Sequence, residues 1–263
     1  MRPIIPKTIV IFFLVQLAAL LAGVQFYNQQ ISVVENAAST DNSLYLFATI
    51  VVFAVILLAI LKFYKGKLLF RLLELAMTFT AVQLFVSLFA SQEIALGAGI
   101  IAIALRLLVE QTRQPLLLLT VAIVGGLLGA SLDILPAAVL ALLLSGYDVV
   151  AVFYTKHMVT LAKELTQRQA AFSIKVTQDK DKLEIGTGDI VIPAMLIVAA
   201  NRIGKTVLQV NGDVSLAAVL GLVGATIGLT ALLLLLEKKK GYWPALPPIT
   251  VGTIAGIAAA TFL

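Results

Sequence analysis

The sequence predicts an all-α, polytopic membrane protein of nine transmembrane helices, N-terminus cytoplasmic and C-terminus outside. Three observations lead there. The 263 residues are 60% hydrophobic and only 13% charged, with a mean hydropathy of +1.04, more apolar surface than a soluble domain of that length needs. The apolar runs are about 20 residues long, the length of a helix that crosses hydrocarbon and about twice that of a barrel strand. The basic residues also sort by side. With the N-terminus inside, 17 of the 19 lysines and arginines fall on cytoplasmic segments, and only Arg202 and Lys205 fall outside. Outside loops carry Glu35, Asp41, Glu93, Asp133 and Asp213 instead. That asymmetry is the positive-inside pattern. It also accounts for the net charge of +5, because basic loops face an anionic leaflet; no nucleic-acid partner is called for.

Taken in order, the spans are Thr8–Phe26, Leu44–Leu61, Leu68–Ala90, Ile94–Val109, Pro115–Leu132, Pro136–Tyr154, Leu183–Ala200, Val214–Leu236 and Pro244–Leu263. The first is too long for the apolar core of a signal peptide and has no small-residue cleavage site after it, so it reads as a span. Residues Tyr27 to Ser43 form a polar outside loop. Glu74 in the third span lies one turn from Arg71 and suggests an intrahelical pair. Gly125, Gly126 and Gly129 give the fifth span a face for close helix packing. Spans one to five, residues 1–133, read as scaffold, and spans six to nine, residues 134–263, as the part that carries chemistry, all in one membrane domain. The chain has no cysteine, so disulfides, thiol catalysis and cysteine metal sites are excluded.

The chemistry starts with two carboxylates. Asp148 is the one charge of the sixth span, and Asp189 lies a few residues inside the seventh, just after Gly186-Thr187-Gly188. A charge inside hydrocarbon is expensive and marks a functional site. Asp148 precedes Lys156 by eight residues, about 12 Å along a helix, and Asp189 follows Lys182 by seven, about 10 Å. Antiparallel neighbouring spans therefore bring both to nearly the same depth. Two carboxyls close together in low dielectric share one proton, as in aspartic proteases. Spacing alone is equally consistent with a cation or proton transporter, or a leak channel, using the same pair.

Two further stretches flank the pair. Ala171 to Thr177 alternates apolar and polar residues, a strand period. Gln178-Asp179-Lys180-Asp181 is a turn candidate, and Lys182-Leu183-Glu184-Ile185 can pair back, making a small β-hairpin in the loop between spans six and seven. A solvated linker fits equally well. The free edge of such a hairpin, at Leu183, Glu184 and Ile185, could accept an extended substrate by strand addition. After Lys238-Lys239-Lys240 comes Pro244-Ala245-Leu246-Pro247-Pro248. Three prolines in five residues block a regular helix start, and irregular backbone at membrane depth is tolerated where it lines a cavity or is buried in protein.

Tyr147-Asp148, Gly186-Thr187-Gly188-Asp189 and Pro244-Ala245-Leu246-Pro247, in that order on spans six, seven and nine, together resemble the presenilin and signal peptide peptidase family of intramembrane aspartyl proteases. Asp189-Ile190-Val191-Ile192-Pro193 resembles the signal peptide peptidase branch. Pro-Ala-Leu-Pro followed by apolar sequence is closer to presenilin, and Thr155-Lys156-His157-Met158 resembles archaeal members. Thr187 stands where the family usually has a long aliphatic residue. The resemblance implies a protease hydrolysing peptide bonds within transmembrane segments of membrane proteins or remnant signal peptides. Asp148 and Asp189 would be the catalytic pair, with water as nucleophile. Tyr147, Gly186, Thr187, Gly188 and Pro244, Ala245, Leu246, Pro247 would shape the site. It implies an integral, multi-pass protein of the cell membrane, with no cofactor and no metal. Its partners would be substrates and lipid, with no obligatory subunits, and self-association is allowed. The charge asymmetry gives the presenilin orientation. Other intramembrane proteases fail on residues: zinc enzymes need HExxH, and the single histidine, His157, sits at the cytoplasmic edge rather than in a rhomboid-like dyad.

Overall fold

The computed structural model describes residues 4–64, 66, 68–154, 173–178, 181–209, 212–238 and 243–263. Thr155–Met158, Ala171 and Phe172 of the expected first strand, Asp179 and Lys180 of the expected turn, and Lys239 to Tyr242 lie outside them.

Nine α-helices occur among the described residues: α1 (Ile4–Asn28), α2 (Asp41–Phe63), α3 (Leu68–Ser87), α4 (Gln92–Leu108), α5 (Arg113–Ser131), α6 (Ile134–Val149), α7 (Gly188–Ala200), α8 (Leu216–Lys238) and α9 (Leu246–Ala259). Five helical stretches are long and apolar enough to cross a bilayer by themselves: Ile4–Asn28, Leu68–Ser87, Glu110–Ser131, Ile134–Tyr154 and Leu216–Lys238. Helix α7 is shorter than the run Leu183–Ala200 from which it was expected. The apolar residues before Gly186 are in a strand, and the helix begins only after the Gly186-Thr187 break. Helix α9 likewise starts at Leu246 rather than Pro244.

Between α6 and α7, β1 (Ser173–Gln178) and β2 (Asp181–Gly186) pair antiparallel, with Ile174 opposite Ile185 and Val176 opposite Leu183. Ile174, Val176 and Ile185 are buried and Leu183 packs on the same cluster, so one face of this ribbon joins the helical core. A second antiparallel pair, β3 (Thr206–Gln209) with β4 (Asp213–Ser215), precedes α8. The sequence reading placed this segment in a loop and in the start of a helix. Its signal was Asn211-Gly212, a strong hairpin dipeptide, and Gly212 has φ +146°, open to glycine.

Helix α7 is the centre of the molecule. Every residue from Ile192 to Ala200 is buried, with α1, α5, α6, α8 and α9 packed around it. Lipid supplies no hydrophobic force to press helices together, so close packing rests on small residues. On α5, a Cβ at Gly125 would come within 2.7 Å of the Ala194 methyl on α7, and one at Gly126 within 2.8 Å of the Ala19 carbonyl on α1. Helices α8 and α9 interlock more tightly. A Cβ on Gly224, Gly228, Gly252 or Gly256 would collide with backbone of the facing helix. The glycine face read on the fifth span is therefore real, and a second one joins α8 to α9.

Glu74 does not act as an intrahelical partner of Arg71. Its buried carboxylate accepts from Arg106 Nε on α4 at 2.6 Å and from Arg113 on α5 at 3.4 Å. Arg71 could satisfy it only at the surface, whereas a buried carboxylate needs partners that share its burial. On the opposite side, Arg202 pairs with Asp133 and the Ala130 carbonyl, and its guanidinium lies 4.9 Å over the Tyr27 ring. Arg202, one of the two basic residues that fall outside the charge asymmetry, is thus neutralised locally.

Candidate active site

Helix α6 carries Tyr147 and Asp148 in its last turn and continues as a π-helical turn, Val150–Tyr154. Such turns recur at functional sites. Helix α7 carries Asp189 in its first turn, where a carboxylate faces the amide end of the helix. Asp148 and Asp189, both half-buried, lie close enough for their carboxyls to interact electrostatically. The two carboxylates thus sit at the facing ends of two neighbouring helices.

The segment before α9 completes the site. Leu246 donates its backbone N–H to Asp148 Oδ2 at 3.2 Å, and the Ala245 amide also reaches this carboxylate. Pro247 and Pro248 then occupy the first turn of α9, where a missing N–H costs nothing. Leu246 itself is buried in one apolar cluster with Leu140, Leu144 and Ile192. Pro244 is buried, and Ala245 and Pro247 are partly so. Two contacts join α6 and the turn after it to α9 and the segment before it. Ser145 Oγ donates to Thr250 Oγ1 at 3.0 Å, one turn from Asp148. The rings of Phe153 and Trp243 meet edge to face at 5.8 Å. Neither was read from the sequence. Ser145 directly precedes Gly146-Tyr147-Asp148, and a hydroxyl on an otherwise apolar helix was the available signal.

On the other side, Asp189 accepts from the Gly186 backbone N–H. A Cβ on Gly186 would stand 3.0 Å from Asp189 Oδ2, whereas one on Gly188 would meet nothing within 4 Å. A side chain at position 186 would thus press on the carboxylate, and one at 188 would not. Neither glycine has positive φ. Thr187 lines a small cavity together with Val191, Met77, Thr78 and Val124. Tyr147 meets Phe47 of α2 edge to face, ring centroids 6.4 Å apart.

Of the residues singled out in the sequence, Asp148, Asp189, Gly186, Ala245 and Leu246 come together. Leu183, Glu184 and Ile185 lie on β2, which runs directly into the Asp189 turn. β2 pairs with β1 on one side, and no strand occupies its other edge among the described residues. Glu184 is exposed while Ile185 is buried. Among the described residues, no three or more His, Cys, Asp or Glu side chains gather where they could hold a metal ion.

Residues 9–263 match a family model described as signal-peptide peptidase, presenilin aspartyl protease. Two solved structures resemble the whole chain. Both are of a presenilin family intramembrane aspartate protease, in different crystal forms. One has a TM-score of 0.72 at 23% sequence identity, covering 98% of this chain and 98% of that one. The other has a TM-score of 0.68 at 24% identity, covering 95% and 96%. At these identities the likeness speaks for the fold. No curated protein matches the chain.

Proposed function

We propose, from the premise that this chain belongs to the signal-peptide peptidase and presenilin family of aspartyl proteases, that Asp148 and Asp189 are its catalytic pair. The chain is a multi-pass membrane protein and an intramembrane-cleaving aspartic peptidase. The observation that carries the proposal is the meeting of two carboxyls from α6 and α7 beside the Ala245-Leu246 backbone.

The chemistry follows from one shared proton. The ionised carboxylate removes a proton from a water molecule, whose oxygen attacks the scissile carbonyl. The protonated partner gives its proton to the carbonyl oxygen, so the tetrahedral intermediate forms without a full oxyanion. Proton transfer to the amine nitrogen then lets the C–N bond break. The Leu246 N–H acts on Asp148 rather than on substrate: by donating to Oδ2 it holds that carboxyl in one orientation.

Substrates are transmembrane segments of membrane proteins or remnant signal peptides. A helix encloses its carbonyls, so a short stretch must unwind in a medium that penalises unpaired amides. The unoccupied edge of β2 supports strand addition at Leu183, Glu184 and Ile185 as the way those amides are satisfied. The resulting path runs between Asp189 and Pro244–Leu246. The enzyme acts as a single chain with its N-terminus cytoplasmic, consistent with the charge asymmetry.

The test is incubation of the purified chain, in liposomes, with a tagged transmembrane peptide, followed by mass spectrometry of the products. Internal cleavage with a bell-shaped pH profile is expected, since one carboxyl must be ionised and the other neutral. An intact peptide with folded enzyme, or a rate flat from acid through alkaline pH, overturns the two-aspartate mechanism.

A further inference from the structure

Gln16 is a fully buried amide in the middle of α1, a helix whose neighbouring residues are nearly all apolar. A polar side chain at such a place is costly in hydrocarbon and a leucine would fill the space. Its Nε2 donates to the backbone carbonyl of Ile190 at 3.1 Å, the residue that follows Asp189. Its Oε1 has no hydrogen-bond partner among the described residues. Among the described residues the donated bond is thus the one polar interaction of this side chain, and it lands on the first turn of α7.

That turn is short of internal bonds. The carbonyl of Asp189 would normally accept from the residue four positions on, which is Pro193, and proline has no N–H. The amides of Ile190 and Val191 both converge on the Thr187 carbonyl, at 3.2 and 3.0 Å. The turn bearing Asp189 is therefore tied at its start, missing one rung of its ladder, and braced from outside by Gln16. We infer that Gln16 is a positioning residue: its bond to the Ile190 carbonyl fixes the pitch of this turn and hence the aim of the Asp189 carboxyl at the substrate. The inference rests on the reading of Asp189 as catalytic.

The experiment is a double-mutant cycle on cleavage of the tagged peptide, using the parent, Gln16→Met, Pro193→Ala and the double variant, with Asp189→Ala as reference. Gln16→Met keeps the volume and removes the donor. It should lower kcat by about 10-fold or more with KM unchanged within about twofold, as expected for misaimed rather than unbound substrate. Pro193→Ala restores an amide for the Asp189 carbonyl. In that background the Gln16→Met loss should shrink to about threefold or less, because the turn no longer depends on the outside brace. Gln16→Leu replaces Gln16→Met if the latter does not purify folded. Equal losses in the two backgrounds, or a raised KM at unchanged kcat, overturn the role of Gln16 while leaving the aspartate chemistry intact. A parent that does not cleave, or an Asp189→Ala variant that does, removes the catalytic reading and this inference with it.

Discussion

Helices α2 and α7 are both strongly apolar, yet they live in opposite surroundings. On α7, Met195, Leu196 and Ile197 are 0% exposed; on α2, Tyr45, Phe53 and Val55 are 72%, 55% and 58% exposed. Helix α2 packs chiefly on α6 and turns the rest of its surface outward, to lipid. Helix α7 is walled by five others. Hydropathy cannot tell them apart, because lipid and a protein interior are equally apolar. What separates them is the company they keep. Glycines on α5 let backbones reach α7, and glycines on α8 and α9 close the structure behind it, whereas α2 faces no such stripe. The lesson is that in a membrane protein, small residues on neighbouring helices report enclosure better than the apolar character of the helix itself.

The two regions should therefore respond unequally to substitution. The largest effect belongs to the carboxyls. Asp148→Ala or Asp189→Ala should each abolish peptide cleavage, read by mass spectrometry, with thermal unfolding of the purified protein little changed. Retained cleavage in either variant removes that residue from the chemistry.

Next come the glycines behind α7. Gly224→Leu or Gly252→Leu inserts a side chain where even a Cβ collides with facing backbone. A loss of about 3 kcal/mol or more is expected, at or above the usual cost of overpacking, with cleavage lost as α9 and the Leu246 amide move. The matched change on α2, Val55→Leu, adds volume to an outward surface and should leave both the unfolding midpoint and the cleavage rate near the parent's. Similar damage from both would erase the distinction between the regions.

The β2 edge comes third. Leu183→Pro or Ile185→Pro should suppress cleavage strongly by removing a backbone donor at the proposed substrate-pairing edge, and Leu183→Val should be mild. If both proline variants fold and cleave at the parental rate, strand addition there is wrong.

Much of this was legible before any coordinates. The two aspartates, the glycines before Asp189 and the proline-broken entry to α9 were marked by charge, spacing and backbone chemistry, which are local properties. The number of apolar runs equals the number of described helices for the same reason. The span bound at Leu183 put the start of α7 too early, because Leu183 and Ile185 are as apolar as the helix that follows; the alternation over Ala171–Thr177 allowed them to be a strand, and pairing with Val176 and Ile174 decides it. The partner of Glu74 was misread because a neighbour one turn away competes poorly with arginines delivered by α4 and α5. Gln16 and Thr250 could not be placed at the site from sequence, and Ser145 carried only the signal of a hydroxyl in an apolar run, since each bonds a residue far along the chain: Ile190 for Gln16, and each other for the pair.

The proposed chemistry requires that α6 and α7 deliver Asp148 and Asp189 to one site. The absence of cysteine makes a direct measurement available: cross-linking of an Asp148→Cys/Asp189→Cys double variant in liposomes with a short bifunctional thiol reagent, followed by peptide mapping. A rapid, near-complete bridge between the two helices is expected, and little for Asp148→Cys paired with Ala200→Cys at the far end of α7. A folded double variant that bridges no faster than this control would contradict it.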